Sequence, residues 1–81
     1  MIKVTIKCFS QVKYALNQHE LVLELKNGFR SSDLEKTILS KAKGQLDNIY
    51  LRVAINQQYV SKDTELKNGD EVAFIPPVQG G

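Results

Sequence analysis

Ile2, Val4, Ile6 and Cys8 alternate with Lys3, Thr5 and Lys7. This period of two begins almost at the first residue and fixes the N-terminal segment as a half-buried strand, with its apolar set turned to one face. In a chain of 81 residues there is room for one small core. The rest of the sequence must therefore supply strands to pair with this one and a layer to cover its apolar face. Cys8 falls in phase with three aliphatic residues, which makes it a small buried hydrophobe rather than a nucleophile.

The following segments meet that demand in order. Phe9-Ser10 opens a short helix, with Ser10 as the expected N-cap, Phe9 and Tyr14 spaced as a hydrophobic staple, and Asn17 as the stop. Leu21, Leu23 and Leu25 alternate with Val22, Glu24 and Lys26 as a second strand that leaves through Asn27-Gly28. The short connection predicts that the first two strands pair antiparallel. A longer helix is announced by Ser32 with Glu35 three residues on, carries Leu34, Ile38, Leu39 and Ala42 on one face, and meets a stop at Gly44. Leu51, Val53 and Ile55 mark a third strand, Tyr59-Val60 a brief fourth, and Asn68-Gly69-Asp70 turns the chain into a last one over residues 71–75. The result is an α+β chain whose mixed sheet of about five strands has one main helix packed across one face. This is the β-grasp pattern of ubiquitin-like domains, with a domain at 1–75 and an extended, flexible tail at 76–81. By analogy with that fold, the first and last strands pair in parallel and the tail leaves from the end of a central strand.

Composition removes several function classes. Eleven basic residues against nine acidic give a net charge of +2, scattered along the chain rather than gathered in the basic stripe with interleaved aromatics of a nucleic-acid reader. No apolar run approaches the roughly 18 residues that a membrane span requires. One cysteine excludes an intrachain disulfide, and the N-terminus lacks the basic-then-apolar plan of a secretory signal; the expected location is the cytoplasm. There is no glycine-rich phosphate loop and no metal-ligand cluster. The single histidine, His19, lies in a polar stretch without the partners general-base chemistry requires. The chain reads as a substrate or carrier, with no bound cofactor.

What remains is the ending, Pro76-Pro77-Val78-Gln79-Gly80-Gly81. Two prolines fix φ, remove two N–H donors and halt strand pairing, so they form a stiff exit. Two glycines carry no Cβ, pass through a slot that excludes other side chains, and leave the terminal carboxylate free to be aimed. From Pro76 to Gly81 the reach is at most roughly 20 Å at about 3.3 Å per residue. A C-terminal carboxylate, with a reference pKa of about 3.3–3.7, is ionised at neutral pH and is a poor electrophile until activated. Attack on the α-phosphate of ATP gives an acyl-adenylate that a sulfur or amine nucleophile can take, and that chemistry needs a partner enzyme. Beside the exit, Ile75 is out of phase with Val72 and Phe74 and points away from the core. Phe9 is out of phase with the first strand's core set, and Tyr59 sits in a short polar segment. If the three lie together they form a docking patch beside the arm.

Val53-Ala54-Ile55-Asn56, the run Asn68-Gly69-Asp70-Glu71-Val72-Ala73-Phe74-Ile75-Pro76-Pro77-Val78, and Gly80-Gly81 closely resemble the MoaD family, the small subunits of molybdopterin synthase. The resemblance continues more weakly through Phe9-Ser10-Gln11-Val12. It implies a sulfur carrier. A MoeB-like adenylating enzyme uses ATP to activate Gly81, a sulfur donor converts it to a thiocarboxylate, and the tail with Gly80 enters the large subunit to deliver sulfur to cyclic pyranopterin monophosphate. It also implies a heterotetramer of two small and two large subunits with the catalytic side chains on the large one, and contacts to partners through Phe9, Tyr59, Ile75, Pro76, Pro77, Val78 and Gln79. The family more often has a small Ser or Thr where this chain has Gln79, a change that alters side contacts without touching the reacting carbon. The alternatives are a ThiS-like carrier for thiazole synthesis, against which the Pro-Pro argues, a ubiquitin-like modifier that joins Gly81 to lysines, and a noncovalent β-grasp module.

Overall fold

A computed structural model describes residues 1–77. The alternating N-terminal segment forms β1 (Ile2–Cys8), followed by α1 (Ser10–Leu16), β2 (Glu20–Leu25), α2 (Ser31–Lys41), β3 (Arg52–Ile55), β4 (Gln58–Tyr59) and β5 (Glu71–Ile75). The strands make one sheet in the order β2-β1-β5-β3-β4. β1 pairs antiparallel with β2, from Ile2 opposite Leu25 to Lys7 opposite Glu20. It pairs parallel with β5, from Thr5 opposite Glu71 to Cys8 opposite Phe74. Both expectations about pairing hold. The arrangement is the β-grasp fold.

One face of the sheet is the core. Val4, Ile6 and Cys8 of β1, Val72 and Phe74 of β5, and Val53 and Ile55 of β3 are buried in one cluster with Leu34, Ile38 and Ala42 from α2 and the residue after it. Burial of Cys8 pushes its thiol pKa up, the behaviour of a small hydrophobe in an apolar setting. Leu46 and Leu66 join this core from outside any helix or long strand.

The helix starts differ from expectation in an instructive way. Ser10 is not a cap. The N-cap of α1 is Phe9, and the Ser10 hydroxyl donates to the Gln11 side-chain carbonyl at 2.9 Å. Phe9 and Tyr14 do not form a staple either, since Tyr14 is 77% exposed and Phe9 turns to the other side of the sheet. For α2 the cap is Arg30 rather than Ser32. The Asp33 carboxylate accepts the Arg30 N–H at 3.1 Å, while Glu35 reaches across to the Lys62 ammonium at 3.3 Å.

The shift of the cap by two residues has a cause in the loop that faces it. Ser31 is buried and its hydroxyl is used twice, donating to the Lys62 carbonyl at 2.6 Å and accepting the Thr64 N–H at 2.9 Å. Beside it the Arg30 guanidinium bonds the Asp63 carboxylate at 2.6 Å and the Asp63 carbonyl at 2.9 Å, and Ser32 donates to the same carboxylate at 3.0 Å. The start of α2 is thus pinned to the segment leading into β5, which outweighs a local capping pattern.

Two outcomes follow from this clasp. Ser31→Ala leaves the part-buried Thr64 N–H and Lys62 carbonyl short of a partner, so urea unfolding should show a loss of about 1–2 kcal/mol; Ser32→Ala, on the exposed side, should stay within about 0.5 kcal/mol. Hydrogen bonds from Arg30 first, then Ser32, hold the Asp63 carboxyl below its ordinary value of 3.8. A depressed folded pKa means that the unfolded chain takes the proton more readily, so this contribution is present above about pH 4 and is lost as pH falls through the folded value. Unfolding midpoints measured from about pH 6 down to about pH 2.5 should show Asp63→Asn less stable than the parent at the upper end, with the gap closing at the lower.

Candidate functional site

The face of the sheet turned away from α2 carries the site. Alternation along β5 sends Val72 and Phe74 into the core and leaves Glu71, Ala73 and Ile75 on the opposite side, where all three line a groove of about 470 Å³. Lys7 and Phe9 close it from the β1 side, and Ala54, Gln57 and Tyr59 from the side of β3 and β4. Ala73 and Ala54, directly paired across β5 and β3, form a floor of small side chains. The rims are built from Phe9 and Tyr59, which are 49% and 55% exposed.

Each rim has a backbone reason for its place. After Phe9 the chain turns at Ser10 in the left-handed region, φ 52°, a conformation uncommon for serine. This reversal sends the chain into α1 and leaves the Phe9 ring at the groove. On the other side, Asn56 and Gln57 both have positive φ, 52° and 70°, as a tight two-residue hairpin between β3 and β4 demands. Asn56 also locks that hairpin to β5. Its side-chain carbonyl accepts the Glu71 N–H at 3.0 Å, its amide donates to the Asp70 carboxylate at 3.0 Å, and its backbone N–H reaches the Glu71 carbonyl at 2.8 Å. The hairpin brings Tyr59 opposite Ala54. The Arg52 guanidinium then lies over the Tyr59 ring, 3.8 Å from its centroid.

The start of β5 is equally fixed. Gly69, at φ 88°, makes the turn and donates to the Lys3 carbonyl at 2.8 Å, while Asn68 accepts the Lys3 N–H at 2.8 Å and Asp70 accepts the Lys67 N–H at 2.8 Å. On the groove's outer flank, Lys7 and Glu20 form an ion pair at 2.5 Å. The hydrogen bond and charge of Glu20, with a smaller contribution from Glu71, raise the Lys7 pKa.

Phe9, Tyr59 and Ile75 therefore do come together, as parity and exposure suggested separately. Pro76 is buried at the end of β5 and packs with the body of the domain, whereas Pro77 is exposed. Val78, Gln79, Gly80 and Gly81, the remaining tail residues singled out from the sequence, lie outside the described residues. The sequence reading missed the floor and one rim partner. Ala73 shares the parity of Ile75 and was open to the same argument, but the Arg52–Tyr59 contact depends on hairpin register, which periodicity does not give.

The family model described as the ThiS family matches residues 6–81. The chain belongs to the ThiS family. Within it, the molybdopterin synthase sulfur carrier subunit of Chlamydomonas reinhardtii is 36% identical, over 99% of this chain and 100% of the alga's protein. Among solved structures, a putative molybdopterin converting factor subunit 1 from Pyrococcus furiosus superposes with TM-score 0.84 at 31% identity, covering 96% of this ThiS-family chain and 100% of its own. SAMP1 from Haloferax volcanii, at TM-score 0.82 and 16% identity over 98% and 99% of the two chains, shares the fold. So does a chain of the Helicobacter pylori complex of subunits 1 and 2 of molybdopterin-converting factor, at TM-score 0.66 and 24% identity over 99% and 100%.

The outward placement of Ile75 in this ThiS-family domain has a direct check. Ile75→Asp should retain the native circular dichroism spectrum and unfold within about 1 kcal/mol of the parent. Phe74→Ala, one residue earlier and fully buried, should cost about 3–5 kcal/mol. Unfolding of Ile75→Asp would mean that its face is wrongly assigned.

Proposed function

We propose that this ThiS-family chain is the sulfur carrier subunit of a molybdopterin synthase. The observation that carries this reading is the position of the groove: β5, running parallel to β1 in the middle of the sheet, ends at Ile75 on the groove wall and continues into Pro76-Pro77. A partner seated on Phe9, Tyr59 and Ile75 is thereby next to the place from which the tail departs. Support also comes from the full-length similarity to a molybdopterin synthase sulfur carrier subunit and from the family match, which runs through Gly81.

In this reading the groove docks two partners in turn. A MoeB-like adenylating enzyme binds ATP, and the Gly81 carboxylate oxygen attacks the α-phosphate as pyrophosphate leaves. Hydrosulfide-level sulfur delivered by a donor then attacks the acyl carbon, the bond to AMP breaks, and a thiocarboxylate is left. The chain supplies the terminal carbonyl carbon and the docking surface; ATP and the catalytic side chains belong to the partners. The large subunit next takes the tail into its pocket, in an assembly of two small and two large subunits in the cytoplasm, and sulfur passes to cyclic pyranopterin monophosphate. The fold of protein modifiers is the same, so a modifier that joins Gly81 to lysines is the second reading; the similarity to carrier subunits rather than to modifiers at more than 30% identity favours the carrier.

Intact mass spectrometry of the chain from cells that make the cofactor separates the two. A carrier should show a gain equal to the replacement of one oxygen by sulfur, localised to Gly81 and lost on deletion of Gly81, with molybdoenzyme activity lost alongside. Adding a residue after Gly81 should have the same effect as the deletion. Covalent adducts to other proteins without any thiocarboxylate would establish the modifier instead.

A further inference from the structure

We propose that Arg52 determines which way round the groove docks on the large subunit of the synthase, by taking a carboxylate that this partner presents beside the mouth of the pocket receiving the tail. The inference rests on the docking role of the groove.

Arg52 lies directly opposite Ile75 in the β3–β5 pair, at the end of the groove where the chain leaves the sheet. Its guanidinium face is occupied by the Tyr59 ring at 3.8 Å, which holds a planar donor group in place while leaving its N–H edge outward. The residue is exposed, and among the described residues it has neither an ion pair nor a side-chain hydrogen bond. The other cations near carboxylates are already paired: Lys7 holds Glu20, Arg30 holds Asp63, and Lys62 holds Glu35. Among the described residues Arg52 is a pre-positioned fork with no acceptor, the form best suited to a carboxylate.

The opposite end of the groove carries Glu71, four residues back along β5 and roughly 13 Å away at about 3.3 Å per residue. Between the two lie Ala73, Ala54 and the rings of Phe9 and Tyr59. Lys7, opposite Ala73 in the β1–β5 pair, also lines the groove, but its charge is taken up by Glu20, so the floor is apolar with Glu71 negative at the start of β5 and Arg52 positive at its end. An apolar insertion fits such a surface in either sense, but a partner with an acid near the tail end and a base near Glu71 fits in only one. The reversed orientation sets like charges against each other. A carrier whose tail must enter a pocket needs that distinction, because a body docked backwards directs the tail away from the pocket.

The test is titration calorimetry of the full-length chain with the cognate large subunit of molybdopterin synthase at several salt concentrations. Arg52→Gln should bind roughly tenfold more weakly and Arg52→Glu roughly a hundredfold, both with a shallower dependence of affinity on salt than the parent. Arg52→Lys should recover only part of the loss, since an ammonium does not reproduce the stacked planar fork. Ile75→Asp reports on the groove itself. If Ile75→Asp abolishes binding while Arg52→Gln stays within about twofold and keeps the parent's salt dependence, the groove docks but Arg52 only covers Tyr59, and the proposal falls. If a folded Ile75→Asp binds like the parent, the docking role fails and the proposal falls with it.

Discussion

The parallel pairing of β1 with β5 is the constraint on which the rest of this domain depends. Each strand contributes alternate residues to the core, so the pair commits Val4, Ile6 and Cys8 together with Val72 and Phe74 to one buried face. The same pairing commits Lys7, Ala73 and Ile75 to the other. A slip of one residue in either strand would exchange the two sets. The core and the groove are thus two readouts of a single register. The turn at Asn68-Gly69-Asp70, bonded to both Lys3 backbone groups, holds that register where β5 begins.

A parallel pair of chain-terminal strands must be closed from outside, because no short turn can join them. Here β2 and the β3–β4 hairpin cover the flanks, and the long return from α2 to β5 runs through the clasp around Ser31. The clasp joins segments some thirty residues apart in sequence, with |i−j| of 31 for the Ser31 to Lys62 bond. Leu46 and Leu51 within the enclosed stretch, and Leu66 just beyond it, are buried in the same core.

What the sequence made legible and what it did not divide along this line. Period-two alternation located β1, β2, β3 and β5 to within a residue or two, and parity correctly turned Ile75 away from Phe74, because both are local consequences of strand geometry. The capping pattern at Ser32 and Glu35 failed because a buried serine one position earlier satisfies the loop's backbone groups, a long-range demand that local spacing does not encode. Ser10 failed as a cap because the chain needs a left-handed residue there to part from β1. Leu46 and Leu66 have no periodic neighbours to announce them. In the groove, the aromatic and aliphatic rim residues were visible as out-of-phase apolars, while Arg52 became significant only once the hairpin brought Tyr59 beneath it.

The two strands that carry the chain's first and last described segments lie side by side and run the same way. A pull on the exit beyond Ile75, resisted at the N-terminal end, therefore loads their connecting hydrogen bonds along the strands and all at once, rather than peeling them in sequence from one end. Antiparallel neighbours on the far side of each strand share that load. The centre of the sheet is consequently an anchorage in shear, which resists tension applied at the exit beyond Ile75.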